Sequence, residues 1–315
     1  MKEVSAERKK YLREEIARLK KEKNALIMAH YYQKEEIQEI ADFIGDSLAL
    51  ARQAAETDAD VIVMCGVHFM GETAKILCPG KTVLVPDLAA GCSLADSCPP
   101  DQFEKFVRNH PDHTVISYVN TSAAVKALTD IVVTSGNARK IIEQLPEDEK
   151  IIFGPDHNLG EYINSVTGKN MLLWKGACHV HDRFSLEKIL EMKKEHPGAK
   201  ILVHPECQRP LQLIADKVGS TAALLDFAKN DDAKEYIVVT ESGILFEMRR
   251  KCPGKILLAA PAEDAECQCN ECDFMKLNTL EKVYEALRDG KPEILVDEEI
   301  AEKAIKPIER MLAMS

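Results

Sequence analysis

Short runs of β-branched, leucine and aromatic residues recur along the chain, each closed by polar or turn-forming residues and separated by stretches with helical spacing. Strand-type runs alternating with helical patterns predict parallel βαβ units. "EEIQEIADFIG" sets Ile37, Ile40, Ala41 and Ile44 on one helical face, and "LALARQAAE" predicts a second helix with Asp46 or Ser47 as its cap. "SGNARKIIEQLP" predicts a helix starting at Ser135 and stopping before Pro146, and "PLQLIADKVG" and "TAALLDFAKN" predict two more, the latter from Thr221.

The pattern is threefold. In the first copy the run "NALIMAHYYQ" carries His30 at its strand end, Ser47 follows, and "DVIVMCG" reaches Gly66. The second has "HTVISYVNT" with Tyr118, Ser135, and "KIIFGPD" with Gly154; the third has "KILVHPEC" with His204, Thr221, and "YIVVTESG" with Thr240. In all three, 17 residues separate the polar strand end from the hydroxyl residue and 19 separate that residue from the next strand end. Each copy continues into a third apolar run and a cysteine: "KTVLVPDLAAGC" to Cys92, "NMLLWKGAC" to Cys178 and "GKILLAAPAEDAECQCNEC" to Cys272. A period of roughly 86 to 94 residues is too long for a solenoid. It predicts three α/β domains with pseudo-threefold symmetry around a central active site, divided as 1–100 with an N-terminal helix, 101–190, and 191–315 with C-terminal helices.

Composition narrows the class. A hydrophobic content of 45% and a charged content of 30% are those of a globular protein. No apolar stretch approaches the roughly 20 residues that cross a bilayer, and the charged start "MKEVSAERKKYLREEIARLKKEKN" has no apolar signal core. A cytoplasmic location without membrane attachment is therefore expected, and cysteines there are read first as ligands, nucleophiles or small apolar side chains. The net charge of −11 argues against a nucleic-acid partner.

Three cysteines at equivalent places predict a metal centre with three protein thiolates, Cys92, Cys178 and Cys272. Thiolates select zinc, copper(I) or iron–sulfur clusters, and structural zinc prefers four closed ligands. A cluster held by three thiolates leaves one iron open as a Lewis acid, which suits dehydration or elimination. In "CQCNEC", Cys267 or Cys269 could replace Cys272, or Cys269 and Cys272 could form a redox pair. Cys65 and Cys78 read as packing residues, and Cys98, Cys207 and Cys252 lack symmetric counterparts. "GVHFMGET" nearly matches a phosphate loop, but Glu72 stands where lysine belongs. Strand-end residues His30 with Tyr31 and Tyr32, Tyr118 with Asn120, and His204 with Glu206 form a candidate acid/base set, with Asp156, His157 and His181 behind them. Ser47, Ser135 and Thr221, at predicted helix starts, suggest an anion-binding crevice.

The segments "MAHYYQ", "GDSLALA", "CGVHFMGETAKIL", "PDLAAGCSLADSC", "YVNTSAAVKALTD", "VVTSGNA", "GPDHNLG", "WKGACHVH", "HPEC", "VGST", "VTESGI" and "CDFMKLNTLEKV" span residues 28 to 283. Together they resemble the quinolinate synthase family. The resemblance implies three similar αβα sandwich domains with parallel sheets around a pseudo-threefold axis, and a 4Fe-4S cluster with three cysteine ligands and one open iron. Its ligands fall on Cys92, Cys178 and Cys272, the last through "C-x-x-M-K". It implies condensation of iminoaspartate with dihydroxyacetone phosphate to quinolinate, with loss of phosphate and two waters, and an aspartate-oxidising enzyme as a partner supplying iminoaspartate. Its substrate-binding residues fall on His30, Tyr32, Ser47, Tyr118, Val119, Asn120, Ser135, His181, His204, Pro205, Glu206, Ser220 and Thr221. Glu206 and Tyr32 are expected to move protons, with His30 and His204 orienting bound oxygens or exchanging protons with them. An iron–sulfur redox sensor and an aconitase-like hydro-lyase are the competing readings; the sensor lacks a basic helix or a fused effector region.

Overall fold

A computed structural model of the protein describes residues 5–263 and 270–315. Among them are three four-stranded sheets, all parallel and flanked by helices. The first contains β1 (Ala25–His30), β2 (Phe43–Gly45), β3 (Val61–Cys65) and β4 (Thr82–Leu84) in the order β2-β1-β3-β4. The second contains β5 (Thr114–Tyr118), β6 (Ile131–Val133), β7 (Ile151–Gly154) and β8 (Leu172–Leu173) in the order β6-β5-β7-β8. The third contains β9 (Lys200–Val203), β10 (Lys217–Val218), β11 (Glu235–Val239) and β12 (Ile256–Ala259) in the order β10-β9-β11-β12. One topology used three times gives three αβα modules, with helices in the crossovers that parallel pairing requires.

The chain divides into two compact units, Met1–Cys92 with Asp273–Glu298, and Ser93–Cys272 with Glu299–Ser315. The first unit contains the first sheet. Its strand residues Ile27, Ala29, Val63 and Leu84 pack against Leu12 and Ile16 of the helix Ala6–Glu22 and against Val283 and Leu287 of the helix Leu280–Asp289. The second unit contains the other two sheets, with separate cores around Val115, Ile152 and Phe103, and around Ile201, Ile237 and Leu211.

The third strand of each copy is preceded by a short strand that the sequence pattern does not separate. The helix expected over "EEIQEIADFIG" spans only Glu35–Gln38, and Phe43–Gly45 is β2. Ile37, Ile40, Ala41 and Ile44 nonetheless all reach one core cluster, which is why they mimic a helical face. A three-residue strand offers too few positions to display its own period.

A repeated side-chain bond fixes these short strands. The carboxylates of Asp42, Asp130 and Asp216 accept the backbone N–H groups of Ile27, Val115 and Ile201 at 2.9, 2.8 and 2.8 Å, each across a separation of 15 residues. The N–H of each aspartate returns a bond to the carbonyl of the same strand residue.

Register is less uniform than the sequence spacing. Ala25 faces Val61, and Lys200 faces Tyr236, 36 residues on, but Thr114 faces Ile151, 37 on. The next pairing compensates, with Ile152 opposite Leu172 at 20 residues where Val61 opposite Thr82 and Glu235 opposite Ile256 stand at 21. Gly154 is thus one residue out of step with Gly66 and Thr240.

"GVHFMGET" lies largely in the helix His68–Leu77. A Cβ on Gly71 would stand 2.9 Å from Ile294 Cγ1, so this glycine serves close packing and not phosphate binding. No helix among the described residues is long and apolar enough to cross a membrane.

Candidate active site

The carboxyl ends of β5, β7, β9 and β11 bring together the polar groups of the second unit. Glu206, two residues beyond His204, is buried at 3% exposure. Its Oε1 accepts a hydrogen bond from the Tyr118 hydroxyl at 2.5 Å, and its Oε2 lies 3.1 Å from His181 Nδ1. His181 Nδ1 is also 3.3 Å from Cys178 Sγ, while its Nε2 meets Thr240 Oγ1 at 2.9 Å. The His181 and His204 rings lie 4.6 Å apart. His204 Nδ1 accepts the backbone N–H of Glu206 at 3.4 Å, which assigns its ring proton to Nε2.

Two carboxyls in this cluster are driven in opposite directions. Burial raises Glu206, but electrostatic interaction with the nearby imidazoles of His181 and His204 and the hydrogen bonds from His181 and Tyr118 outweigh it and hold the group at about 2. Asp156 is pushed well above the carboxylate range, first by burial and then by the negative charge of Glu206. Asp156 Oδ1 caps the helix His157–Thr167 by accepting from Leu159 N at 2.7 Å. Two carboxyls shifted in opposite directions within a single cluster is the electrostatic division that acid/base chemistry uses.

Cys178 lies in the loop after β8, with its sulfur, a His181 nitrogen and a Glu206 oxygen all within 4.8 Å of one another. Gly176 lets that loop lie close, because a Cβ there would stand 2.6 Å from the Pro155 carbonyl. Cys272 packs against the same apolar cluster as Cys178, and its N–H donates to Glu241 Oε1 at 3.0 Å. Glu241 is itself buried and holds Gly243 N through Oε2 at 2.7 Å. These half-buried thiols suit a thiolate-bound cluster: they sit in loops beyond the edge strands, and His181 Nδ1 stands where it can orient the Cys178 sulfur. Cys92 occupies the corresponding loop after β4 in the first unit. Cys267 and Cys269 lie outside the described residues.

The remaining described cysteines are of a different kind. Cys65, Cys78, Cys98, Cys207 and Cys252 are buried and unbridged. Burial pushes the thiols of Cys65 and Cys98 up to about 12 and raises those of Cys78, Cys207 and Cys252. Neutral buried thiols behave as small apolar groups.

In the first unit, His30 ends β1 and repeats the third module's geometry. Its Nδ1 accepts the N–H of Tyr32 at 3.2 Å, and the two rings meet edge to face at 4.5 Å. Lys276 Nζ donates to the Tyr32 carbonyl at 2.7 Å. In the second module, Asn120 occupies the position of Tyr32 and Glu206, and its buried Oδ1 has no hydrogen-bond partner in the structure.

Two of the hydroxyl residues, Ser47 and Thr221, lie one position inside helix caps. The helix Ser47–Glu56 is capped by Asp46, which accepts from Ala49 N at 3.1 Å, and the helix Thr221–Asn230 by Ser220, which accepts from Ala223 N at 3.3 Å. In the second module Thr134 Oγ1 accepts from Gly136 N at 3.3 Å, and Ser135 sits in a turn before the short helix Ala138–Ile142. The expected helix start at Ser135 is therefore corrected to Ala138, because Asn137 bonds back to Thr134 N at 2.6 Å and holds a turn first. A Cβ on Gly136 would come within 3.4 Å of Ser220 Oγ, which places the Ser135 turn beside the Ser220 cap.

Asn158, Asp182, Glu241 and Gln212 were not singled out from the sequence. Asn158 Nδ2 donates to Asp182 Oδ1 at 3.2 Å and to the Glu206 carbonyl at 3.1 Å, so it ties the second module to the Glu206 strand end. Polar residues in otherwise apolar flanks, such as "PDHN" and "TES", were the available signal.

Fold and site define an α/β protein with thiol-bearing loops and a buried acid/base cluster at strand ends. The family model described as "Quinolinate synthetase A protein" matches residues 14–313. The chain is 57% identical over 300 residues to the quinolinate synthase of Synechococcus sp., covering 95% of this chain and 94% of that one. It is 57% identical to the quinolinate synthase of Thermosynechococcus vestitus with the same coverage, and 55% identical over 302 residues to that of Chloroherpeton thalassium, covering 96% and 94%. The chain belongs to the quinolinate synthase family. That membership implies an iron–sulfur cluster.

Proposed function

We propose that the chain is an enzyme of NAD biosynthesis that condenses iminoaspartate with dihydroxyacetone phosphate, releasing phosphate and two waters, to give quinolinate. The observation that carries this reading is the buried Tyr118, His181, His204 and Glu206 cluster beside Cys178, in a chain of this family. Cys92, Cys178 and Cys272 are the ligands we assign to a 4Fe-4S cluster with one open iron. When bound, such a cluster supplies Lewis acidity toward a substrate oxygen.

The chain's own groups account for the proton movements. Glu206, held ionised, takes a proton from substrate, and the Tyr118 hydroxyl on Oε1 orients it. Tyr32 is its counterpart in the first module. His30 and His204, with Nδ1 bonded to a backbone N–H, present Nε2–H to substrate oxygens. Ser47, Ser135 and Thr221, beside the caps, hold carboxylates and phosphate together with Ser220 and adjacent N–H groups. Val119, Asn120, Pro205 and His181 complete the substrate contacts. In our reading the chain is divided into three modules, 1–100, 101–190 and 191–315. The enzyme works in the cytoplasm, and iminoaspartate comes from an aspartate-oxidising enzyme.

The test is anaerobic quinolinate formation from the two substrates by the reconstituted chain. Glu206→Gln should keep the fold and the iron content yet lower turnover by about 10² or more. Wild-type turnover in that variant would make Glu206 structural, and absence of product from the wild-type chain would remove the functional reading.

A further inference from the structure

Eight residues after each strand end, a buried side chain grips two backbone carbonyls. Gln38 Nε2 donates to the carbonyls of Tyr31 at 3.0 Å and Gln33 at 2.8 Å. Gln212 Nε2 donates to those of Pro205 at 2.9 Å and Cys207 at 2.7 Å. Lys126 Nζ donates to Val119 O at 2.8 Å and, through a shorter bond, to Thr121 O. The pairs of carbonyls flank Tyr32, Glu206 and Asn120 respectively. The residue enclosed each time is the one assigned to contact substrate.

We propose that Gln38, Lys126 and Gln212 are positioning residues, each a clamp that fixes the substrate-facing residue of its module by holding the peptide groups on both sides of it. The proposal rests on the functional reading above. Two observations and one physical requirement carry it. The same geometry recurs in three modules, although the residue type changes from amide to ammonium. The clamps are buried, with Lys126 at 0%, Gln38 at 1% and Gln212 at 7% exposure, so they act within the protein and not as solvent-facing polar groups. Ordering a long side chain inside the protein costs conformational entropy, which the two carbonyl bonds of each clamp must offset.

Peptide groups held from both sides have little freedom to rotate, and the side chain between them inherits that restriction. A shift of about 1 Å in a substrate-positioning group can cost on the order of 10²-fold in rate. Asn120 shows what the clamp preserves: a buried side-chain carbonyl without a protein hydrogen bond, suited to accept from a ligand hydroxyl or imine N–H.

The two chemistries supply an internal control, because glutamine already performs the task at equivalent positions. Lys126→Gln should retain affinity for quinolinate within about threefold, since an amide N–H pair can hold both carbonyls; Lys126→Met, which has no donor, should weaken it by about tenfold or more and lower kcat with it. Binding of quinolinate by calorimetry and steady-state kinetics on the anaerobic holoenzyme, with melting curves on the same samples, read both effects. Equal affinity for wild type and Lys126→Met overturns the clamp, and so does Lys126→Gln as impaired as Lys126→Met. If Lys126→Met does not fold, Gln38→Met is held to the same criterion. Failure of both to fold beside a folded, fully active Lys126→Gln would assign the bonds to folding alone and overturn positioning. A wild-type chain that neither binds nor forms quinolinate rejects the functional reading and is thereby distinguished from failure of the clamp.

Discussion

The second and third modules have the same strand order and the same aspartate bond from Asp130 and Asp216 to a neighbouring strand, yet their strand ends carry different chemistry. One presents Tyr118 and Asn120 and is clamped by Lys126; the other presents His204 and Glu206 and is clamped by Gln212. Even their registers differ by a residue at the central pairing and recover it at the next. The comparison shows a division of labour along the sequence. Side chains that bond to backbone fix the frame, and this leaves the strand-end side chains free to specialise without moving it. Tyr118 and Glu206 then meet in one hydrogen bond, so the two specialisations act on each other.

The sharpest way to break the comparison is at the thiols. Cys178 is half-buried in a loop beside His181, whereas Cys207 is fully buried with its thiol raised and directed to the Val239 carbonyl at 3.5 Å. Cys178→Ser should abolish bound iron and sulfide and all activity, while Cys207→Ala should leave the iron and sulfide content of the reconstituted protein unchanged. Full iron in Cys178→Ser would remove it from the ligand set.

The next effect is on stability. Asp130→Ala and Asp216→Ala each leave a backbone N–H, of Val115 or Ile201, buried without its acceptor. Such a group costs about 1–3 kcal/mol. If the two modules are equivalent frames, denaturant melts should show losses of similar size. A large loss for one variant and none for the other would show that the frame is not shared.

These bonds mark what the sequence made legible and what it did not. The triple spacing from His30, Tyr118 and His204 exposed the modules because strand-end polar residues interrupt long apolar runs, a contrast that survives in one dimension. The short strands β2, β6 and β10 were hidden, since two or three residues show no period, and Ile44 of β2 and Val218 of β10 reach the same cores as the neighbouring helical turns. The site residues at strand ends were legible for the same reason as the modules. Gln38, Lys126 and Gln212 were not: an isolated glutamine or lysine in a helical stretch reads as solvent-facing, and only the fold turns it inward onto carbonyls. The opposite shifts of Glu206 and Asp156 were equally out of reach, because burial and the nearby histidines exist only after folding.

The smallest expected effect separates capping from binding. Ser220 accepts the Ala223 N–H and caps a ten-residue helix, so Ser220→Ala should lower stability by about 0.5–2 kcal/mol. Ser135 follows the turn-capping Thr134, and its hydroxyl is not the one that closes the turn. Ser135→Ala should therefore change stability by no more than about 0.5 kcal/mol. If its hydroxyl holds a substrate carboxylate or phosphate, the same variant should still raise the dissociation constant for quinolinate or the Michaelis constant for dihydroxyacetone phosphate severalfold, in keeping with about 0.5–1.5 kcal/mol for one hydrogen bond. Melting curves and binding on both variants decide between the roles. Equal losses of stability with unchanged binding would make Ser135 a second cap and withdraw the anion site from the second module, while leaving the shared aspartate frame untouched.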